Sequence, residues 1–200
     1  MATVYTIGHS TRTFDELVAA LKAHDIRALV DIRSFPMSRR MPHFNRESLE
    51  VELPKPGIAY VWMKELGGRR KRIRDDSPNT GLRNDSFRNY ADYMLTGEFA
   101  QGIEHLLGIA MQNTDPSTSA AKNGPPALGM TRDETGNTAI MCAERVYFQC
   151  HRMLVSDYLS AHGHTVLHID DDKRSLREHK LMTEARLVDG KLVYDAQELF

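Results

Sequence analysis

The stretch ALVDIRSFP, residues 28–36, is the most informative part of the chain for the fold. It begins with apolar residues, which is typical of a buried strand, and Pro36 ends the strand because proline cannot donate a hydrogen bond to a sheet. A second β-rich run, Val4–Ile7, precedes it. A helical pattern lies between the two, and in it Thr13 and Glu16 have the spacing of a capping box. Strand, helix and strand in this order predict a right-handed βαβ unit.

The same alternation continues along the chain. The sequence predicts further strands over residues 59–63, 138–142 and 165–169, and helices over 86–95, 99–111 and 150–161. Toward the end it predicts a helix over 176–187, and then a tight hairpin over 187–194 with Asp189-Gly190 at its turn. The predicted fold class is therefore α/β, with a mostly parallel sheet flanked by helices and a C-terminal hairpin.

Length and composition indicate how the chain is organised. A length of 200 residues with 41% hydrophobic content favours one α/β domain over residues 1–200. Residues 112–137 are rich in polar and small residues and are expected to form a flexible insertion. No apolar run approaches the roughly 20 residues that span a bilayer, and the first residues lack a signal-peptide pattern. We therefore expect no membrane partner and a cytoplasmic location.

The charges are unevenly distributed, although the net charge is only −1. Residues 27–88 carry 14 Lys and Arg against 8 Asp and Glu, whereas the remainder carries 12 against 19. The densest feature, which we call the basic arm, follows two glycines and comprises Arg69, Arg70, Lys71, Arg72 and Arg74. A charge run of this kind is either a solvated loop or a surface that contacts the phosphates of DNA or RNA. An anionic small molecule is the other partner that this charge predicts.

Polar side chains follow the predicted strands at the edge where open parallel sheets bind ligands. From these positions we predict catalytic roles for His9, Asp31, Glu144, Cys150 and His151. We predict ligand binding by Ser10, Arg33, Ser34, Arg39, Arg40 and Arg152. Asp31 and Arg33 alternate on one strand, so they form either an internal salt bridge or a catalytic pair.

The two cysteines are expected to be free thiols, since two residues make no disulfide framework. Cys142 resembles a small buried apolar residue more than a nucleophile. Cys150 is either structural or reactive, and a place at the start of the helix over 150–161 predicts a lowered thiol pKa. The spacing Cys-x7-Cys-His lacks the close pairs of a zinc motif, so the sequence predicts no metal site and no cofactor.

Several short motifs occur in a characteristic order. They are TIGHS at 6–10, DIRSFP at 31–36 with SRR at 38–40, LGG at 66–68, MCAE at 141–144 and CHR at 150–152. Together they resemble the family of domains of unknown function numbered 488, over a stretch from Val4 to about Tyr194. The resemblance implies that the predicted catalytic and ligand-binding residues other than Ser10 occupy motif positions of the family. It implies no substrate.

Three functions remain open at this point. The first is binding or processing of nucleic acid by a basic surface beside a polar crevice. The second is an enzyme that acts on a phosphorylated or nucleotide-like small molecule, with Arg33 and Arg152 holding the anion. The third is a sulfur or redox protein that uses Cys150 as a nucleophile. We rank them in this order, and whether the protein is an enzyme stays open.

Overall fold

The computed structural model describes residues 1–114, 136–170 and 175–195, and a six-stranded sheet forms its centre. The strands are β1 (Thr3–Gly8), β2 (Ile26–Asp31), β3 (Ala59–Trp62), β4 (Asn137–Cys142), β5 (Thr165–Ile169) and β6 (Leu176–Glu178). Their order across the sheet is β3-β2-β4-β1-β5-β6, with parallel pairing throughout except for β6, which is antiparallel to β5. The prediction of an α/β fold with a mostly parallel sheet is confirmed.

In the described part of the chain, five α-helices cover both faces of the sheet. They are α1 (Phe14–Ala23), α2 (Arg46–Glu52), α3 (Asp85–Met94), α4 (Gly97–Thr114) and α5 (Arg152–Ala161). Leu17 of α1 and Leu49 of α2 share one apolar core with Leu29 of β2. The helices α3, α4 and α5 pack on the opposite face, where Tyr90 and Leu154 share a second core with other buried side chains.

Two local predictions are confirmed because they depend on neighbouring residues only. The hydroxyl of Thr13 accepts the N–H of Glu16 at 3.2 Å, and the Glu16 carboxylate accepts the N–H of Thr13 at 2.7 Å, which completes the capping box of α1. A hairpin of β7 (Ala185–Val188) and β8 (Lys191–Tyr194) ends the described chain. Its turn residues Asp189 and Gly190 both have positive φ, as a type I′ turn requires.

Other predictions need correction. The helix predicted over 176–187 was wrong, because β6 occupies its start and pairs with the open edge of β5. Edge pairing and the burial of His179 override local helix propensity there. No helix was predicted for α2. Of the predicted insertion over 112–137, residues 112–114 belong to α4 and Asn137 to β4, whereas residues 115–135 lie outside the described part.

The order of the strands determines where a ligand can bind. The chain leaves β1 through α1 on one face of the sheet and leaves the neighbouring strand β4 through α5 on the other. Loops that depart in opposite directions leave an opening between the carboxyl ends of these two strands. Within the described ranges, no helix is long and apolar enough to cross a membrane.

Candidate functional site

A crevice of about 790 Å³ lies at this opening. The ends of β1, β2 and β4 and the loop after β3 all contribute to its lining. Seven residues predicted from the sequence line it: His9, Arg33, Ser34, Arg69, Glu144, Cys150 and His151. The crevice therefore brings together polar residues that lie up to 142 positions apart, and it is the candidate functional site.

Two thiols and an imidazole line one side of the crevice. The sulfur atoms of Cys142 and Cys150 and a ring nitrogen of His151 all lie within 4.8 Å of one another. Cys142 Sγ is 3.9 Å from His151 Nδ1. On the other side of the ring, Nε2 donates to the carbonyl of Ile32 at 2.9 Å, so the Nδ1 lone pair faces the sulfur atoms.

The environment of the two thiols differs from the sequence expectation. Hydrogen bonding from Cys150, the charge of Arg152 and the backbone N–H groups of Ala143 and Glu144 lower the pKa of Cys142 to about 7. The same hydrogen bond with Cys142 and the burial of the side chain raise the pKa of Cys150. The expected lowered pKa at Cys150 was wrong, since α5 begins at Arg152 and Cys150 precedes its N-cap residue in extended conformation.

Arg152 lies beneath the thiols with only 1% of its surface exposed. Its backbone N–H and its Nε both point to Cys150 Sγ, at 3.4 and 3.3 Å, and its Nη2 donates to the carbonyl of Glu144. Nη1 donates to the Thr6 hydroxyl at 3.4 Å. Among the described residues no carboxylate pairs with this guanidinium, and Arg152 does not line the crevice. Its guanidinium and its backbone N–H contact Cys150 from the protein interior.

A chain of buried hydrogen bonds continues from Thr6 to Asp157. Thr6 Oγ1 and His168 Nδ1 are 2.8 Å apart, His168 Nε2 and His179 Nδ1 are 2.9 Å apart, and His179 Nε2 lies 2.8 Å from Asp157 Oδ1. Burial and the neighbouring His179 lower the pKa of His168 to about 3, so its ring is neutral and can accept at Nδ1. With both rings neutral, these hydrogen bonds can all be donated in the direction of Asp157, and they link this fully buried carboxylate to the buried cation of Arg152.

His9, Arg33 and Asp31 form a second buried polar group. The Arg33 guanidinium pairs with both carboxylate oxygens of Asp31 and donates to the carbonyl of Phe44 at 2.8 Å. Arg33 Nη1 lies 3.2 Å from His9 Nε2, and burial with the charge of Arg33 lowers the pKa of His9 to about 4. Asp31 also accepts the Tyr60 hydroxyl at 2.7 Å and does not line the crevice. The sequence allowed Asp31 and Arg33 to be either an internal salt bridge or a catalytic pair. The observed contacts match an internal salt bridge.

Two glycines of the sequence motifs permit close contacts around the site. A side-chain carbon on Gly8 would lie 1.8 Å from the Glu144 carbonyl oxygen, so only glycine allows the ends of β1 and β4 to meet as they do. A side-chain carbon on Gly68 would lie 2.2 Å from His151 Nδ1. Gly68 therefore keeps the space beside that nitrogen open.

Most of the basic arm is engaged within the protein. Arg70 donates to the carbonyls of Lys64, Glu65 and Gly67 and lies 3.6 Å from the centre of the Tyr93 ring. Arg72 pairs with Asp75 at 3.1 Å, and Arg74 pairs with Asp76 at 3.0 Å. Both line a second hollow, and neither lines the crevice. Lys71 is exposed and also lies outside the crevice lining, so Arg69 is the arm residue that joins the crevice.

Three further predicted ligand-binding residues also lie outside the crevice lining. Ser10 adopts a positive φ and donates its N–H to the Ala143 carbonyl at 2.9 Å, which joins the loops after β1 and β4. Arg39 and Arg40 are exposed on the loop between β2 and α2, and no hydrogen bond or ion pair holds them among the described residues.

Sequence reasoning missed several residues that the fold brings to the site. Phe35 and Met37 line the crevice although 68% and 75% of their surfaces are exposed. Large apolar side chains next to a proline after a buried strand were the available signal. Cys142 had a signal in its position at the end of β4. Nothing in the sequence connected His168 and His179 with Asp157, because these contacts form between distant segments.

Comparison with known proteins completes the description of the site. A family model described as "Domain of unknown function DUF488" matches residues 13–118, which is more than half of the chain. The chain belongs to this family. The DUF488 match includes the DIRSFP and LGG motifs but ends before β4, a shorter stretch than the resemblance implied. No curated protein and no solved structure matches the chain. The roles of Cys142, Cys150 and His151 therefore rest on their geometry.

Proposed function

We propose that this DUF488 protein is an enzyme that acts on a small nucleotide-like molecule in the crevice. The observation that carries the proposal is the composition of one crevice wall. Phe35 and Met37 expose apolar surface there, and the Arg69 guanidinium lies 5.9 Å from the centre of the Phe35 ring. A planar base can stack on an exposed aromatic ring while an adjacent arginine pairs with a phosphate.

The other lining residues support the same proposal. Ser34 and Ser38 lie beside this wall, and their hydroxyl protons remain available because their oxygens accept backbone N–H groups. Cys142 at the end of β4 and His151 before α5 also line the crevice, together with the exposed residue Glu144. A pocket with an apolar wall and a few convergent polar groups is the usual form of a small-molecule site. We assign ligand binding to the apolar wall and its two serines. We assign the chemistry to Cys142, His151 and Glu144.

The engagement of the basic arm moves nucleic-acid binding to second place in our ranking. Arg70, Arg72 and Arg74 already satisfy carbonyl or carboxylate partners, and a phosphate would have to displace these. Arg33 and Arg152 are likewise held inside the protein, so Arg69 takes the role of anion clamp in the proposed enzyme.

Binding of a nucleoside monophosphate is the direct test. We expect Phe35→Ala and Arg69→Ala each to weaken binding by about tenfold or more, because stacking on an aromatic ring contributes roughly 1–3 kcal/mol and a charged hydrogen bond about 1.5–3 kcal/mol. Isothermal titration calorimetry of the full chain measures both changes. The melting temperature should change little, since both side chains are exposed.

Two residues of the same types provide matched controls. Phe148 is 51% exposed and Lys71 is an exposed cation of the basic arm, and neither lines the crevice. Phe148→Ala and Lys71→Ala should leave the affinity unchanged. Equal losses in the controls and in the crevice variants, or no binding of any mononucleotide by the parent protein, would contradict the proposal.

One observation still favours nucleic-acid binding as the second candidate function: Arg39 and Arg40 are adjacent, exposed cations. If these cations contact phosphates, changing both to alanine should flatten the plot of log affinity against log salt for duplex DNA by about 1.8 units, at 0.9 per contact. Arg72→Ala with Arg74→Ala is the control, because those cations are already paired. Fluorescence anisotropy measures the slopes. If the parent protein does not bind an oligonucleotide at low salt, this second candidate is removed.

A further inference from the structure

We propose that Cys142, Cys150 and His151 together bind a soft divalent metal ion of the Zn²⁺ class, at a position open to the crevice. The inference deepens the proposed function, since it names the group that would meet the substrate. Metal binding can nevertheless be tested without any substrate.

The separations of the candidate ligand atoms fit tetrahedral coordination. Zinc lies about 2.3 Å from a thiolate sulfur and about 2.0–2.1 Å from an imidazole nitrogen, so tetrahedral ligand atoms are roughly 3.5–3.8 Å apart. Cys142 Sγ and His151 Nδ1 are 3.9 Å apart, and all three atoms lie within 4.8 Å of one another. Small rotations of these side chains would bring the three atoms to one ion. The spacing of the residues along the chain did not indicate this, because the segment between Cys142 and Cys150 folds back on itself.

The orientation of His151 fits a metal ligand. Metal-bound histidines usually donate their other ring N–H to a carbonyl or carboxylate, which orients the ring and selects the tautomer. His151 Nε2 makes this hydrogen bond to the Ile32 carbonyl at 2.9 Å, and Nδ1 faces the sulfur atoms. Gly68 keeps the space beside Nδ1 open, because any side chain at that position would meet the ring.

Hydrogen bonds to the cysteines also fit metal-bound thiolates. The backbone N–H and Nε of Arg152 both point to Cys150 Sγ, at 3.4 and 3.3 Å. Such donors around a site stabilise negative charge on the ligand and orient it. The positive charge of Arg152 further offsets the charge of two thiolates. A disulfide between the same cysteines would need neither these donors nor the lone pair of His151, which is why we favour the metal.

Three protein ligands leave one position for a non-protein ligand. Structural zinc sites usually have four protein ligands, whereas catalytic sites have three and bind water or substrate at the fourth. Cys142, Cys150 and His151 all line the crevice, so the fourth position faces it. Glu144 lies on the same lining and has an exposed carboxylate, which is the type of group that acts as a general base at such sites. This arrangement suits hydrolysis or group transfer at a phosphate or at a ring carbon of a nucleotide.

Cobalt substitution tests the proposal on the complete, reduced protein. After treatment with a chelator and a thiol reductant that does not bind metal, titration with Co²⁺ should produce the thiolate-to-cobalt charge-transfer band and the intense visible bands of a tetrahedral ion. Saturation is expected at one Co²⁺ per chain, and Zn²⁺ should displace it. If the reduced and folded protein gives only the weak spectrum of octahedral Co²⁺, the proposal is overturned, and this result needs no variant.

Variants then test which atoms bind the ion. Cys142→Ser and Cys150→Ser should each reduce the charge-transfer intensity and weaken Co²⁺ binding at least tenfold, as should His151→Gln. His105→Gln, on the exposed side of α4, is the matched control and should change nothing. Retention of the full band in both cysteine variants would also overturn the proposal. Nucleotide binding by the metal-free protein is measured separately, so a failure of the metal site and a failure of the proposed function can be distinguished.

Discussion

Replacing Asp157 by alanine is expected to lower the free energy of unfolding by about 3–5 kcal/mol, since removing one member of a buried charged network leaves the others without partners. The carboxylate accepts His179 Nε2 at 2.8 Å, the Tyr194 hydroxyl at 3.0 Å and the Met182 N–H at 3.1 Å. All three donors would lose their acceptor in the protein interior. Urea denaturation followed by circular dichroism measures the loss.

The control for this prediction is an exposed aspartate. The Asp75 side chain is 98% exposed and pairs with Arg72, so Asp75→Ala should change the free energy of unfolding by less than about 1 kcal/mol. A loss for Asp157→Ala no larger than that of the control would show that the chain from Arg152 to Asp157 contributes little to stability. The hydrogen bonds that Asp157 accepts are expected to hold the segment after β6 and the hairpin against α5.

Arg33→Ala is expected to have a comparably large effect, about 3–5 kcal/mol, because it leaves the Asp31 carboxylate buried without its cation. Asp31 is fully buried, and the Tyr60 hydroxyl would remain as its side-chain partner. The Phe44 carbonyl would also lose a donor at 2.8 Å. The midpoint of urea denaturation should fall strongly, and thermal unfolding should begin at a lower temperature.

The matched arginine for comparison is Arg72, whose side chain is 65% exposed. Its replacement by alanine should cost less than about 1 kcal/mol, as is usual for exposed ion pairs. If Arg33→Ala instead left stability unchanged and abolished ligand binding alone, the guanidinium would be a ligand clamp, as the sequence had suggested. The bidentate contact with Asp31 argues for the structural role.

Several parts of the candidate site could be predicted because strand ends in a parallel sheet converge. His9, Ser34, Glu144 and His151 were identified from their positions after strands, and all of them line the crevice. The same reasoning did not separate side chains that face the crevice from those that turn inward. Arg152 was predicted to bind an anion, yet its guanidinium is buried beneath Cys150.

The partners of the cations in the basic arm could not be predicted from the sequence. Five cations in six residues suggested a surface for phosphates, because a sequence displays the charge of each residue but not its partner. In the fold, Arg70 lies over Tyr93 and contacts three carbonyls, and Arg72 pairs with a carboxylate three positions later. Among the described residues, exposed cations without a hydrogen bond or ion pair lie at Lys71 in the arm and on the loop that carries Arg39 and Arg40.

The features that could be read directly from the chain depend on residues close to one another. The capping box at Thr13, the turn at Asp189-Gly190 and the apolar strands follow from local hydrogen bonding, backbone conformation and hydrophobic periodicity. Together with the motifs, they identified the α/β fold and the family. β6 in place of a helix is the counterexample, since the open edge of a neighbouring strand determined its conformation.

Only the tertiary structure decided which buried charged groups, thiols and imidazoles meet. The Cys142 sulfur and His151 Nδ1 lie 3.9 Å apart because β4 ends, and α5 begins, at the same edge of the sheet. Asp157 meets His179 because β6 folds back along β5 beside α5. Burial makes these contacts strong, since an unpaired polar group in the interior costs free energy that the same group in water does not. These contacts depend on distances in the folded protein, and the number of residues between two positions in the sequence does not predict them.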